Sequence, residues 1–455
     1  MKPEAVRSSD RLGTMPEGQL LFRMALPMIL AMLVQALYNI VDSIYVAQIS
    51  ENALTAVSLA YPMQTLMIAV STGLGVGINS TVSRSLGEGD GARAGRLALH
   101  GLLLILASAA VFTAIGLTGA RAFMDTQTDI AEIVEGGTAY VSICMGLCVF
   151  QFVEITFERF LQATGRTVHS MISQGVGAVV NIVFDPILIF GWLGFPAMGV
   201  AGAAAATVFG QAVACVLSIV FHVRGNRELR LPLRGFRPQR RAFRQILSIG
   251  VPSILIQAIG SLMSYGMNRI LLGFVSTAAA VFGVYYKLQS IIFMPVFGLN
   301  NGMVPIVAYN YGARKKSRIV RTVRLSCVTA VAMMAAGLLL MQLLPETLLL
   351  LFDAQEQMLR VGVPAMRIMS LCFLPAGFCI VISSVFQALG NGVYSMITSF
   401  LRQVVVLLPV AYLLSLAGRV ELVWWAFPIA EVASLVFTLL FLRRINRRVL
   451  QPLEG

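Results

Sequence analysis

Charge is what this sequence has least of. Asp, Glu, Lys and Arg together make up 12% of its 455 residues, where soluble domains carry about a quarter. With 57% hydrophobic residues and a mean hydropathy of +0.81, the shortage excludes a water-soluble globule. No G-x-x-x-x-G-K-[ST] run occurs, which excludes a P-loop ATPase and leaves an ion gradient as the source of work. Histidine is nearly absent (100, 169 and 222) and the six cysteines (144, 148, 215, 327, 372 and 379) all fall in apolar runs. Neither set has metal-ligand spacing, and such cysteines read as small packing residues. We therefore expect no disulfide, no cofactor and no metal site beyond a possible Na+. With no His/Glu metal motif, no nucleophile elbow and no polar segment longer than about 223–246, the chain reads as a non-enzyme.

What is abundant is apolar sequence in membrane-length pieces. A helical span needs about 20 residues, and twelve fit: roughly 22–46, 56–80, 94–118, 134–158, 168–190, 199–223, 247–272, 277–305, 318–344, 357–386, 394–416 and 422–442. The chain also repeats itself at a constant offset of 225 positions. Pro27 returns as Pro252, Gln64 as Gln289, Leu74 and Gly77 as Leu299 and Gly302, and Gly87 as Gly312. Gln162-Ala163-x-Gly165 with Ser170-Met171-Ile172 returns as Gln387-Ala388-x-Gly390 with Ser395-Met396-Ile397. The expected fold is therefore an all-α polytopic membrane protein of two parallel six-helix repeats framing a cavity. The segments are a tail (1–21), an N-terminal lobe (22–223), a connector (224–246), a C-terminal lobe (247–442) and a second tail (443–455). The polar first 21 residues precede a full-length helix and read as a tail, not a signal peptide. Gly73, Gly75 and Gly77 read as helix packing, not a dinucleotide loop.

The net charge of +13 is distributed in step with the helices. Arginine-rich segments (84–96, 224–244, 314–318 and 443–448) alternate with loops holding Glu51; Asp125, Asp129 and Glu132; and Glu346, Asp353 and Glu356. Basic loops stay cytoplasmic, which places both termini inside a bacterial-type cell membrane. Without aromatic interleaving or a folded domain, the basic runs are topology signals and lipid contacts, not nucleic-acid sites. Leu231-Pro232-Leu233 and Phe236 suggest a short amphipathic stretch on the bilayer.

An ionisable group inside a transmembrane helix is presumed functional. Gln35, Tyr38, Asn39 and Asp42 recur at i, i+3, i+4 and i+7, a polar stripe on the first helix. Asn181 and Asp185 share a face of the fifth, and Thr207 lies at comparable depth on the sixth. Asp42 and Asp185 both sit roughly 6–8 Å from the outer helix ends, by a rise of about 1.5 Å per residue. Oxygen ligands of this kind suit a hard monovalent cation, and the carboxylates alone suit a proton. Either ion relieves the cost of burying them. Glu154 in the fourth helix is a further ion or substrate contact. The C-terminal half carries instead Lys287, Arg402 and Glu431, most simply a charge cluster whose members offset one another's burial. Pro27 and Pro252 are candidate points of helix bending.

These phrases resemble the multidrug and toxic compound extrusion family. The carriers are Pro27 with Gln35…Tyr38-Asn39-x-x-Asp42, Ser85-Leu86-Gly87, Gln162-Ala163-x-Gly165, Asn181-x-x-x-Asp185-Pro186, Gly199-Val200-Ala201-Gly202-Ala203-Ala204 with Ala206-Thr207, and Pro305-x-x-x-Tyr309-Asn310-Tyr311-Gly312-Ala313. The resemblance implies a V-shaped, two-lobed exporter of lipophilic organic cations, acting as a monomer in membrane lipid. It implies H+ or Na+ bound through Asp42, Asn181, Asp185 and Thr207. Acidic ligands that other members carry in helices 7 and 10 are missing here. The nearest alternative is a flippase for a lipid-linked precursor, which calls for a cationic cavity that this acidic lobe does not offer.

Overall fold

The computed structural model describes residues 9–274, 276–352 and 354–454; Asp353 of the acidic loops and residues 1–8 of the tail lie outside them. Short α1 (Asp10–Thr14) precedes the first half: α2 (Glu17–Ala47), α3 (Glu51–Gly87), α4 (Gly91–Asp125), α5 (Ala131–Gly146), α6 (Val149–Ala163), α7 (Thr167–Phe190) and α8 (Val200–Gly225). The second half follows with α9 (Arg240–Leu271), α10 (Ser276–Gly312), α11 (Lys316–Leu343), α12 (Pro345–Leu350), α13 (Glu356–Ser370) and α14 (Phe373–Ala388). Next, α15 (Gly392–Phe400) runs through a π-helical stretch (Leu401–Leu407) into α16 (Leu408–Ser415), and α17 (Val420–Trp424) leads into α18 (Ala426–Ile445). Among the described residues, ten stretches are long and apolar enough to cross a membrane singly, and the pairs α5–α6 and α13–α14, bent by 43° and 49°, bring the number to twelve when each is taken as one span. The protein is thus a multi-pass, all-helical membrane protein. Its helices run several residues past the apolar windows, because polar ends continue the backbone ladder beyond the hydrocarbon.

The 225-residue period is visible as pseudo-twofold packing. Gly73 of α3 lies against the Ile254 backbone of α9, where a Cβ would stand 2.8 Å from its nitrogen; Gly298 of α10 lies against Ile29 of α2, 2.7 Å from its nitrogen. Adding 225 to 73 and 29 gives 298 and 254. Gly77 against Gly250 becomes Gly302 against Ala25 in the same way, and Gly87 against Tyr309 becomes Gly312 against Arg84. The repeated Gln-Ala-x-Gly phrase is a helix stop. Gly165 and Gly390 take φ of +78° and +81°, and the next residues, Arg166 and Asn391, donate to the carbonyls of Leu161 and Phe386, the paired bonds of a Schellman cap.

The halves also exchange their first turns. Leu20, Leu21, Met24 and Ala25 of α2 are buried in the C-terminal core, whereas Ala242 and Ile246 of α9 are buried in the N-terminal core. The lobe boundaries expected at 22 and 247 are therefore blurred at the arginine-rich end. The described part of the expected tail, residues 9–21, is not free. Leu12 is fully buried, and its carbonyl and that of Gly13 accept hydrogen bonds from Asn310 Nδ2 (2.9 Å) and Lys315 Nζ (2.7 Å). Helix α2 already begins at Glu17, which pairs with Arg318 at 3.5 Å. Of the connector's expected amphipathic stretch, Leu231 and Phe236 turn onto the protein, whereas Leu233 is exposed. Residues 226–239 are not helical, Leu229 is fully buried, Leu231 packs on the N-terminal core, and the Phe236 ring meets His100 at 4.7 Å.

Candidate functional site

A cavity of about 930 Å³ lies between the lobes. The inter-lobe glycine contacts described above all fall in the basic-end halves of α2, α3, α9 and α10. Nearer the acidic loops, Tyr61 of α3 both lines the cavity and is exposed, so the cavity opens towards that end. The polar stripe of α2 faces the cavity as its spacing requires: Gln35, Tyr38, Asn39 and Asp42 all line it. Helix α7 packs on both α2 and α8, which brings the third and fourth members alongside. Asn181 Nδ2 donates to Asp185 Oδ1 at 3.2 Å and to Thr207 Oγ1 at 3.4 Å. Asn181 and Thr207 line the cavity, and Asp185 is fully buried behind them. Asp42 stands near enough to Asp185 for the two carboxylates to repel.

The residues in this cluster leave oxygens over. Asp42 Oδ1, Asn181 Oδ1 and Asp185 Oδ2 are buried without a hydrogen-bond partner, although most buried polar groups are satisfied. Three orphaned acceptors, two of them from carboxylates, form a donor set fit for a proton or a small hard cation. The cavity's other carboxylates on this side are Glu154 and Glu158.

Two residue groups behave otherwise than the sequence suggested. Arg402 and Glu431 pair at 3.0 Å, and both reach the cavity wall. Lys287 does not join them: it is exposed on α10 and does not line the cavity, so the expected cluster of three is a pair. The helix period places Lys287 within its span but does not say which face meets a partner. Pro27 and Pro252 are both buried within helices, α2 and α9, that continue through them.

Sequence reading missed an inner polar group. Gln174 Nε2 donates to Glu158 Oε2 at 2.6 Å. Arg159 Nη1 donates to Gln162 Oε1 at 2.8 Å and, across the lobe seam, to Asn301 Oδ1 at 3.3 Å. The expected fourth helix ended at 158, which put Glu158 and Arg159 at an aqueous end. The helix runs on to Ala163, and the signal was the i, i+4 spacing from Glu154 to Glu158. Gln64 and Gln289, one of the repeated pairs, also line the cavity.

A family model, MatE, matches this chain twice, over residues 27–187 and 252–413. The chain belongs to the MatE family. The two matched blocks begin 225 positions apart, one in each lobe, and membership makes this a transporter of the multidrug and toxic compound extrusion type. Among relatives, the chain is 24% identical over 429 residues to an "FAD transporter" of Shewanella oneidensis, covering 93% of this chain and 94% of that protein. It is 23% identical over 426 residues to the "Multidrug export protein MepA" of Staphylococcus haemolyticus, covering 93% of each. In fold, it is similar to a MOP superfamily transporter from Pyrococcus furiosus at a TM-score of 0.90 and 24% identity, over 98% of both chains.

Proposed function

We propose that this MatE transporter is an antiporter that exports lipophilic, mostly cationic compounds across the cell membrane. Entry of H+ or Na+ drives it, with the ion held by Asp42, Asn181, Asp185 and Thr207. The observation that carries the reading is the set of buried oxygens without partners on Asp42 and Asn181, at the wall of the inter-lobe cavity, and on Asp185 just behind it. An ion there relieves both the desolvation and the mutual repulsion of the two carboxylates. It thereby favours one packing of α2 against α7 over another, and the drug follows that shift. Bending of α2 at Pro27 is the natural hinge, with Pro252 its counterpart in α9. The basic end is placed in the cytoplasm by charge, so the cavity described here faces outward.

The other cavity contacts fit an organic cation. Tyr38, Tyr61 and Tyr140 offer aromatic faces, and Asp42, Glu154 and Glu158 offer negative charge on the same wall. A flippase for a lipid-linked precursor needs free cationic groups. Both cavity arginines are already engaged, Arg402 by Glu431 and Arg159 by Gln162 and Asn301. The likeness to a multidrug export protein points the same way.

The test is ethidium efflux from proteoliposomes holding wild type or Asp42→Asn, with H+ and Na+ gradients imposed separately. Export by wild type under one gradient, and none by the variant, supports the reading and names the ion. Gradient-independent export, or equal export by the variant, overturns it.

A further inference from the structure

The ion cluster lies far from the cytoplasmic side to which the ion must pass. Counting from Thr167 at the basic end of α7, Asn181 and Asp185 stand about 21 and 27 Å along the axis, by a rise of about 1.5 Å per residue. Counting back from Ala163 at the basic end of α6, Glu158 and Glu154 stand only about 8 and 14 Å in. The two form one stripe on α6, four residues apart, and both line the cavity.

Glu158 is a buried carboxylate on the cavity wall with only one of its two oxygens hydrogen-bonded. It is 3% exposed, and its Oε2 takes the single bond from Gln174 while its Oε1, buried on the cavity wall, has no partner. Its neighbour Arg159 donates not to it but to Gln162 and, across the seam, Asn301, so that the guanidinium charge reaches Glu158 only through space. The surrounding elements add little charge. Helix α7 offers neutral Gln174, α10 neutral Asn301, and α3 presents Gly75 to the Arg159 side chain. On α8, Cys215 lies in range of Glu154, and His222 is stacked on Phe157 and Phe160 at 5.2 and 5.4 Å. Two carboxylates one turn apart in a membrane cannot both hold full charge without cost.

We propose that Glu158, with Glu154 one turn away, is a second proton-binding station in the N-terminal lobe, with Glu158 about 13–19 Å along the helix axes from Asn181 and Asp185 towards the cytoplasmic end. The proton sits on Glu158 Oε1 and leaves to bulk water as hydronium, restoring the carboxylate. When the lobes separate at the basic end, Asn301 is withdrawn from Arg159. The freed guanidinium then stands beside Glu158 and favours its charged form, so release is tied to the inward-open state.

The proposal takes its purpose from the ion-coupled reading, but it is tested without transport. Infrared difference spectra of the full-length protein in lipid, recorded across a pH jump, report each carboxyl group that loses its proton. We expect E158Q, whose amide keeps a partner for Gln174, to lose one protonated-carboxyl component that D42N retains. E158D should restore the component at a shifted frequency, and if E158Q does not fold, that shift alone identifies the site. Spectra of E158Q and E158D that superimpose on wild type overturn the proposal. So does a component that responds to Na+ at fixed pH and not to the pH jump. Failure of ethidium export with the Glu158 component present would instead count against the exporter reading alone.

Discussion

The two lobes share a frame and differ in what they bury. At the 225-residue offset, Met267, Val406 and Val410 stand where the N-terminal lobe has Asp42, Asn181 and Asp185; Gly177 and Ala206 stand where the C-terminal lobe has Arg402 and Glu431. In the N-terminal lobe Asp42 and Asp185 keep buried oxygens without a partner and form no ion pair among the described residues, whereas in the C-terminal lobe Glu431 is paired with Arg402, although its Oε1 is unpartnered as well. Satisfied groups hold a structure in one arrangement, and unsatisfied ones wait for a ligand. The contrast, an ion pair in one lobe and unpaired carboxylates in the other, supports the proposal that the N-terminal lobe is the ion-responsive half.

The largest break in that contrast comes from removing a waiting acceptor. Asp42→Asn and Asp185→Asn are each expected to keep the protein folded and to lower ethidium export by a hundredfold or more, about 3 kcal/mol of coupling. Export is measured in proteoliposomes, and folding by size-exclusion chromatography. If the variants instead lose stability and keep transport, the N-terminal cluster is structural and the contrast fails.

Next in size is the converse change. Arg402→Met strands Glu431, whose side chain is 4% exposed, and is expected to cost about 3 kcal/mol, the lower end for a broken buried pair because Arg402 is itself 30% exposed. Combining Arg402→Met with Glu431→Leu, read as thermal stability in detergent, should recover most of that loss. An export defect larger than the stability loss accounts for would assign the pair to the substrate.

The lobe frame was legible in the sequence because an offset repeat, helix-length apolar runs and alternating loop charge are all long-range patterns. The ion cluster was legible for a second reason: an Asp within a span is costly enough to stand out, and i, i+3, i+4 and i+7 spacing assigns a face. Arg159 and the Lys287 correction were not legible, and Glu158 was signalled only by its i, i+4 spacing from Glu154, because each depended on where a helix ended or how it was rotated. The docking of α1 depended on backbone carbonyls, which carry no residue signature at all.

The pseudo-twofold seam gives a smaller, symmetric prediction. Ala substitution at Gly77 or Gly302 places a Cβ 3.1 Å from the Gly250 nitrogen or 2.7 Å from the Ala25 nitrogen. Each is expected to cost about 1–3 kcal/mol by overpacking and to favour the inward-open state, seen as increased labelling of a thiol placed at the seam. Unequal labelling by the two variants would show that the halves do not hinge alike.

The smallest effects are expected where each half is strapped to the other. Residues 10–14 precede α2 and dock on the C-terminal lobe through Lys315 and Asn310. Residues 235–239, offset by 225, precede α9 and dock on the N-terminal lobe, where the Gln239 amide donates to His100 Nε2 at 2.8 Å. Lys315→Ala removes one part-buried bond to the Gly13 carbonyl and should cost about 1 kcal/mol. His100→Ala removes an acceptor and a ring packed on Phe236 and Phe243, for about 2 kcal/mol. Both straps bridge the seam at the basic end, so both losses should shorten the outward-open state, measured as faster thiol labelling from the cytoplasmic side. If only His100→Ala does so, the connector alone latches the closed end, and the pseudo-symmetry of the two lobes stops short of their moving parts.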